Sequence, residues 1–185
     1  PDSEMFYVAD VAPCGPDCRP GCHCGKYTEI GNDVFMQYDK QQDGRLLPLA
    51  KKNVDTGMGL ERILTILNKK TNIYDTELFL PVMNQLETQL SNLNAKMPLR
   101  DKRIICEHIR TVSFILGDPQ RICPSNTEQG YILRRLIRRM IRILKKAGIE
   151  HNILCELAEV IINQYKEIYE ELIDNKTFIL EQLTK

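Results

Sequence analysis

The sequence predicts an α+β chain in which part of an antiparallel sheet runs into a helix and an all-helical domain follows. Three observations carry this prediction. Residues 27–38 alternate as a strand does, with Ile30, Asn32, Val34 and Met36 on one face and Gly31, Asp33 and Phe35 on the other. The stretch Val54-Asp55-Thr56-Gly57-Met58-Gly59-Leu60-Glu61-Arg62 reads as the end of a buried strand entering a helix. From Arg100 onward strand signals stop and apolar residues recur at helical spacing.

Taken in order, residues 14–24 come first: Cys-Gly-Pro-Asp-Cys-Arg-Pro-Gly-Cys-His-Cys, a knuckle-like loop in which glycine and proline exclude regular structure. The strand of 27–38 follows, then a polar turn at 39–44. Leu46-Leu47-Pro48-Leu49 returns as an edge or irregular strand, since proline cannot donate to a ladder. Asp55 and Thr56 suit a helix start, because their side-chain oxygens accept orphan amide protons. Gly57 and Gly59 remove side chains where a ligand could approach the backbone. Leu60, Ile63, Leu64 and Leu67 give the following helix an apolar face, and Arg62 lies off it. Residues 75–93 predict a helix with Leu78, Phe79, Val82, Leu86 and Leu90 on one side. Helices are further expected over 101–116, over 128–147 closed by Gly148, and once or twice over 151–183, with Leu154, Leu157, Ile161, Ile162, Ile168, Leu172, Phe178 and Ile179 apolar. His151 and Asn152 mark the last helix start. The domain boundary is expected near residue 98, giving domains 1–98 and 99–185.

Composition narrows the class. The chain has 185 residues, 43% of them hydrophobic, enough for a real core. Its formal net charge is zero, so binding to a polyanion requires local segregation of charge. No apolar run approaches the roughly 18–20 residues that span a bilayer, and no signal segment is evident. Seven cysteines, four of them within residues 14–24, suit a reduced, cytoplasmic compartment and a metal better than a disulfide framework. Cys14, Cys18, Cys22 and Cys24 offer four soft ligands for a structural Zn²⁺, with His23 a further candidate; a loop of free thiols is the alternative. A start at Pro1, without Met, suggests a piece of something longer.

The helix of 128–147 carries the second constellation. Leu133, Leu136, Ile137, Met140, Ile141 and Leu144 form its expected buried stripe. Arg134, Arg135, Arg138, Arg139, Arg142, Lys145 and Lys146 fill the rest, with no acid from Tyr131 to Gly148. A charge run is ordinarily a solvated face, but seven uncompensated positives repel one another and favour a polyanion. His108, within Glu107-His108-Ile109-Arg110, reads as a packed helix residue.

The nine residues 54–62 resemble motif 3 of the class II aminoacyl-tRNA synthetases, in the form found in alanyl-tRNA synthetases. Glu29-Ile30-Gly31-Asn32-Asp33-Val34-Phe35-Met36-Gln37-Tyr38 upstream, and Pro124-Ser125-Asn126 with Gly130-Tyr131-Ile132-Leu133-Arg134-Arg135-Leu136-Ile137-Arg138-Arg139 downstream, match the same family in the same order. The resemblance implies the C-terminal part of a class II antiparallel sheet with its motif 3 helix, then a helical tRNA-recognition domain. It implies that Asp55 holds the α-amino group of alanine in an amine-sized hollow. Asn32, Val34 and Gly57 would line that pocket, and Gly59 and Arg62 would lie against ATP with its Mg²⁺. It also implies that the arginine-rich helix binds the acceptor stem of alanine tRNA, where Asn126 reads a G·U pair from the minor groove. The ordinary alternatives are Asp55 as an N-cap, Val34 as core, Arg62 as a surface ion-pair residue and Asn126 as a helix or turn cap beside Pro124.

Two departures stand out. The family's usual Trp is Gly31 here, and strand alternation turns position 31 away from the pocket. The cysteine loop is longer than the family's Cys-Gly-Pro-Cys form. Nothing resembles motifs 1 and 2, and no His-x3-His editing signature is present, so no catalytic residue is assigned and the isolated chain is expected not to form an adenylate. The implied function is that of a fragment of an alanine-tRNA ligase, dependent on the rest of the synthetase chain. A non-catalytic RNA-binding paralogue and a purely structural zinc protein are the alternatives.

Overall fold

The computed structural model describes all residues, Pro1 to Lys185. They form two compact units, Pro1–Thr76 and Glu77–Lys185.

The first unit is a three-stranded antiparallel sheet of order β1-β2-β3, with β1 at Asp2–Val8, β2 at Tyr27–Lys40 and β3 at Leu46–Met58. β1 is not expected from the sequence; it pairs with β2 from Asp2 opposite Val34 to Val8 opposite Tyr27. The β2–β3 turn is closed by Gln41 N–H donating to the Arg45 carbonyl at 2.9 Å, with Gly44 at φ +85°. The expected irregular segment at 46–49 and the Val54 strand end are one strand of 13 residues. β3 is an edge, so Pro48 is tolerated, and it lies opposite Tyr38 where the register shifts.

Asp55 and Thr56 do not cap the helix. Both are ladder residues, paired with Val34 and Asp33, and the Thr56 hydroxyl donates to Asp33 Oδ1 at 2.7 Å. The ladder continues until Gly59 N–H donates to the Ile30 carbonyl at 2.9 Å. Helix α1, Leu60–Leu67, starts at once, with Gly59 at the N-cap and no side-chain cap. The expected apolar face is buried only in part: Ile63 and Leu64 are half-buried, whereas Leu60 is 56% and Leu67 70% exposed. β3 is likewise exposed nearly throughout rather than buried. Behind the strand, Gly31 is buried, and a Cβ there would lie 2.5 Å from the Gly57 carbonyl and 2.9 Å from Met58 Cγ. Met5 and Met58 therefore occupy the side on which the family's Trp would stand.

The second unit is helical: α2 Leu80–Asn92, α3 Leu99–Gly117, α4 Glu128–Lys146, α5 Leu154–Tyr165, α6 Glu171–Asp174 and α7 Lys176–Thr184. α2 packs on α3 and α5, so compaction divides the chain at 76/77 rather than at the expected residue 98. Its start at Leu80, later than expected, places Pro81 in the first turn, where a missing N–H costs nothing. α3 is central, and Ile105, Ile109, Val112 and Leu116 along one face are all 0% exposed. α4 buries Ile143 where Ile141 was expected; Ile141 is 36% exposed. α4 ends in a Schellman motif: Gly148 at φ +78° donates to the Lys145 carbonyl, and Ile149 N–H donates to the Leu144 carbonyl, each at 3.0 Å. The last stretch breaks into three pieces, leaving Ile168 outside any helix and 73% exposed. Ile153 is the N-cap of α5, and just before it Asn152 Oδ1 accepts from the Leu154 N–H at 2.9 Å.

Candidate functional site

The β2–β3 register places Asn32 opposite Gly57 and Val34 opposite Asp55. Opposed residues share a face with Cβ atoms about 5 Å apart, so four residues separated in sequence make one two-by-two patch. Gly57 leaves its corner without a side chain; a Cβ there would make an ordinary contact with Asn32 Oδ1 at 3.5 Å. β1 adds Glu4 beside Asn32 and Asp2 beside Val34 on the same face. Sequence reading missed both acids because it did not identify β1. Asp55 is exposed, although its strand end is expected to be buried. Val34 on this face and Val54 on the other are 37% and 57% exposed, so this stretch of sheet is uncovered and water solvates the carboxylate.

Gly59 and Arg62 adjoin the patch through Ile30 and Glu29. Arg62 Nη1 donates to the Glu29 carbonyl at 2.9 Å and pairs with Glu29 Oε2 at 3.2 Å. This half-exposed pair contributes at most about 1 kcal/mol, but it aims the guanidinium along the start of β2. A Cβ at Gly59 would lie 3.2 Å from Arg62 Cδ, a tight contact that would push the arginine stem by a few tenths of an ångström.

In the cysteine loop the sulfurs of Cys14, Cys18 and Cys24 lie within 4.8 Å of one another. Cys22 is not in this trio; its sulfur accepts from Arg19 N–H at 3.4 Å. The Cys18 and Cys24 sulfurs are 3.8 Å apart, which is close to the separation set by two tetrahedral Zn–S bonds of about 2.3 Å. The thiols of Cys18 and Cys24 beside Cys14 push its pKa up to about 12. The Lys26 backbone N–H lowers that of Cys24. Cys14, Cys18 and Cys24 could hold a metal ion, and soft thiol donors of this kind suit Zn²⁺, with Cys22 a nearby further thiol. One zinc per chain is the expected stoichiometry, measured by a chromogenic chelator after thiol modification. Affinity should fall steeply with acidity, since thiolates must shed protons to bind. Cys18→Ser should abolish binding, and retention of a full equivalent by that variant would refute the site.

On α4, Arg135, Arg138, Arg139 and Arg142 are exposed and Arg134 is half-buried. Arg134 Nη1 donates to Asn126 Oδ1. Arg139 Nη1 lies 3.3 Å from His108 Nε2, and Lys146 reaches Asp101 at 4.0 Å. Tertiary structure therefore gives three of the seven cations polar neighbours; no ion pair reaches Arg135, Arg138, Arg142 or Lys145. Tyr131, Arg134, Arg135 and Arg138 line a shallow hollow of about 150 Å³.

Burial, with Arg139 beside it, holds the His108 pKa below its ordinary 6.5. The unfolded chain therefore binds a proton below about pH 6.5 that the folded chain refuses until lower pH. Stability of the helical unit is expected to fall as pH drops from 7 to 5.5. His108→Gln should flatten that fall, as followed by thermal melts.

A family model described as tRNA synthetases class II (A) matches residues 11–185. The chain belongs to the class II tRNA synthetases. It is 48% identical over 185 residues to the alanine–tRNA ligase of Treponema pallidum (strain Nichols), covering 99% of this chain and 31% of that protein. The alanine–tRNA ligase of Treponema denticola is 47% identical over 182 residues, covering 97% of this chain and 30% of that protein. That of Borreliella burgdorferi is 42% identical over 187 residues, covering 100% of this chain and 32% of that protein. The synthetase chain thus spans about a third of the length of the curated relatives it matches. None of its helices is long and apolar enough to cross a membrane.

Proposed function

We propose that this chain is the segment of a cytoplasmic alanine–tRNA ligase that supplies one wall of the alanine pocket, the motif 3 contact with ATP and the helix that grips the acceptor stem. The observation that carries the reading is the register, which gathers Asn32, Val34, Asp55 and Gly57 on one face. Asp55 takes the substrate ammonium. The missing side chain at Gly57 leaves room for the substrate, and Val34 and Asn32 line the space that takes its methyl group. Gly59 opens the approach to the nucleotide and Arg62 packs against it.

In the whole protein the alanine carboxylate attacks the α-phosphorus of ATP and pyrophosphate leaves. A 3′-terminal hydroxyl of the tRNA then attacks the alanyl carbonyl and AMP leaves. Mg²⁺ supplies charge neutralisation at the phosphates. The residues of this chain bind and align, which is where such transfers gain most of their rate. Asn126 and Arg134, Arg135, Arg138, Arg139 and Arg142 hold the RNA.

The test is binding of the chain to a hairpin copy of the alanine acceptor stem across a salt series. Affinity should fall steeply with salt, and alanine at Arg135, Arg138 or Arg142 should each flatten the slope by about 1. Binding that ignores both salt and these replacements overturns the RNA assignment. The exposure of Asp55 favours a second reading, a non-catalytic RNA-binding paralogue. The two part on the fate of the Asp55 variant.

A further inference from the structure

We infer that Arg134 is a positioning residue that sets which edge of the Asn126 amide faces the RNA, an inference that rests on the acceptor-stem reading above. Asn126 sits on an exposed loop just before α4, and its Oδ1 accepts from Arg134 Nη1 two turns into the helix. A guanidinium has donors only and never loses its proton. It can therefore face the amide oxygen but not the amide nitrogen. The contact selects one of the two amide orientations and sends both Nδ2 hydrogens outward. A charge-assisted bond of this kind is stronger than a neutral one.

The loop beneath is held independently. Ser125 N–H donates to the Gly130 carbonyl at 3.0 Å, and the Ser125 hydroxyl donates to the Thr127 carbonyl at 2.9 Å. Gly130 is buried with no room for a side chain, its Cβ position lying 2.3 Å from Ser125 Oγ. The backbone is thus placed by Ser125 and Gly130, and the remaining freedom of Asn126 is rotation of its side chain. Arg134 removes that freedom. An outward amide NH₂ addresses acceptor atoms on a minor-groove edge, and the wide, shallow minor groove of A-form RNA exposes them. Its neighbours differ in role: Arg135 and Arg138 share the hollow beside Tyr131 without touching Asn126, so they offer charge alone.

The experiment compares binding of two hairpins, one with the G·U pair and one with G·C at the same place, by wild type, Asn126→Ala, Arg134→Ala, Arg134→Gln and Arg135→Ala. Circular dichroism confirms that each variant is folded. Wild type should prefer the G·U stem, and Asn126→Ala should lose the preference. Arg134→Ala should reduce the preference on the order of tenfold, beyond any common loss of affinity. Arg134→Gln keeps an N–H donor without the charge, so it should weaken both stems yet retain much of the preference. Arg135→Ala should weaken both stems alike. If Arg134→Ala lowers both affinities by one factor, or leaves the preference intact while Asn126→Ala removes it, Arg134 is only a phosphate contact and the inference falls alone. If wild type shows no preference, the acceptor-stem reading of Asn126 falls and takes the inference with it.

Discussion

Replacing Asp55 by asparagine, in the protein carried to the length of its relatives, is expected to lower kcat/KM for alanine in pyrophosphate exchange by two orders of magnitude or more. The side chain stays isosteric and the β3 ladder is untouched, so folding is not at issue. What changes is the partner of an ammonium ion that must give up water to bind. Removing one member of a desolvated charge pair costs about 3–5 kcal/mol, and every 1.4 kcal/mol is about tenfold. In this chain Asp55 lies exposed on an open face. A strong ammonium site at Asp55 therefore requires that this face be covered when substrate binds. Wild-type exchange by the asparagine variant would remove the aminoacylation reading and leave the non-catalytic paralogue. The isolated 185-residue chain should show no exchange at all, and clear turnover by it would contradict the division of labour proposed here.

Gly130→Ala is expected to unseat the RNA-reading loop. The new Cβ would stand 2.3 Å from Ser125 Oγ and 2.4 Å from the Cys123 carbonyl, so the 123–126 segment must move. Alanine favours a helix over glycine by about 1 kcal/mol, whereas overpacking of this kind costs about 1–3 kcal/mol. A small net loss of stability in the helical unit should follow. The larger effect falls on recognition: Ser125 N–H loses its bond to the Gly130 carbonyl, and Asn126 shifts relative to Arg134. Preference for the G·U stem should vanish while salt-dependent binding persists. Adding Ser125→Gly relieves the hydroxyl clash but not the carbonyl clash, so rescue should be partial. Full preference in Gly130→Ala would show that the loop position does not matter.

Helix placement was largely legible from local signals. The apolar repeats of α3 and α4, the expected end of α3 near residue 116 and the glycine at 148 each act within a few residues of chain. The patch on the sheet was half legible: alternation put Asn32 and Val34 on one side, and the two glycines around Met58 flagged a close approach. It misplaced the boundary between strand and helix, because Asp55 and Thr56 have cap chemistry that loses here to ladder pairing with Val34 and Asp33. Sequence also read a buried stripe into α1 that the fold buries only in part, since a periodic pattern shows that a face is apolar and not what covers it.

Sequence alone determined the family, the order of elements and the chemical inventory: a carboxylate by two glycines, a run of arginines and a loop of thiols. Those are properties of residue type and spacing, which survive without coordinates. Tertiary structure alone decided which inventory members meet. Antiparallel register brought position 32 to 57 and 34 to 55, chain reversal left three thiols converging with Cys22 aside, and helix packing set Arg139 against His108. The physical reason is that contacts between distant positions depend on how the backbone pairs and turns, and no short window of residues specifies that.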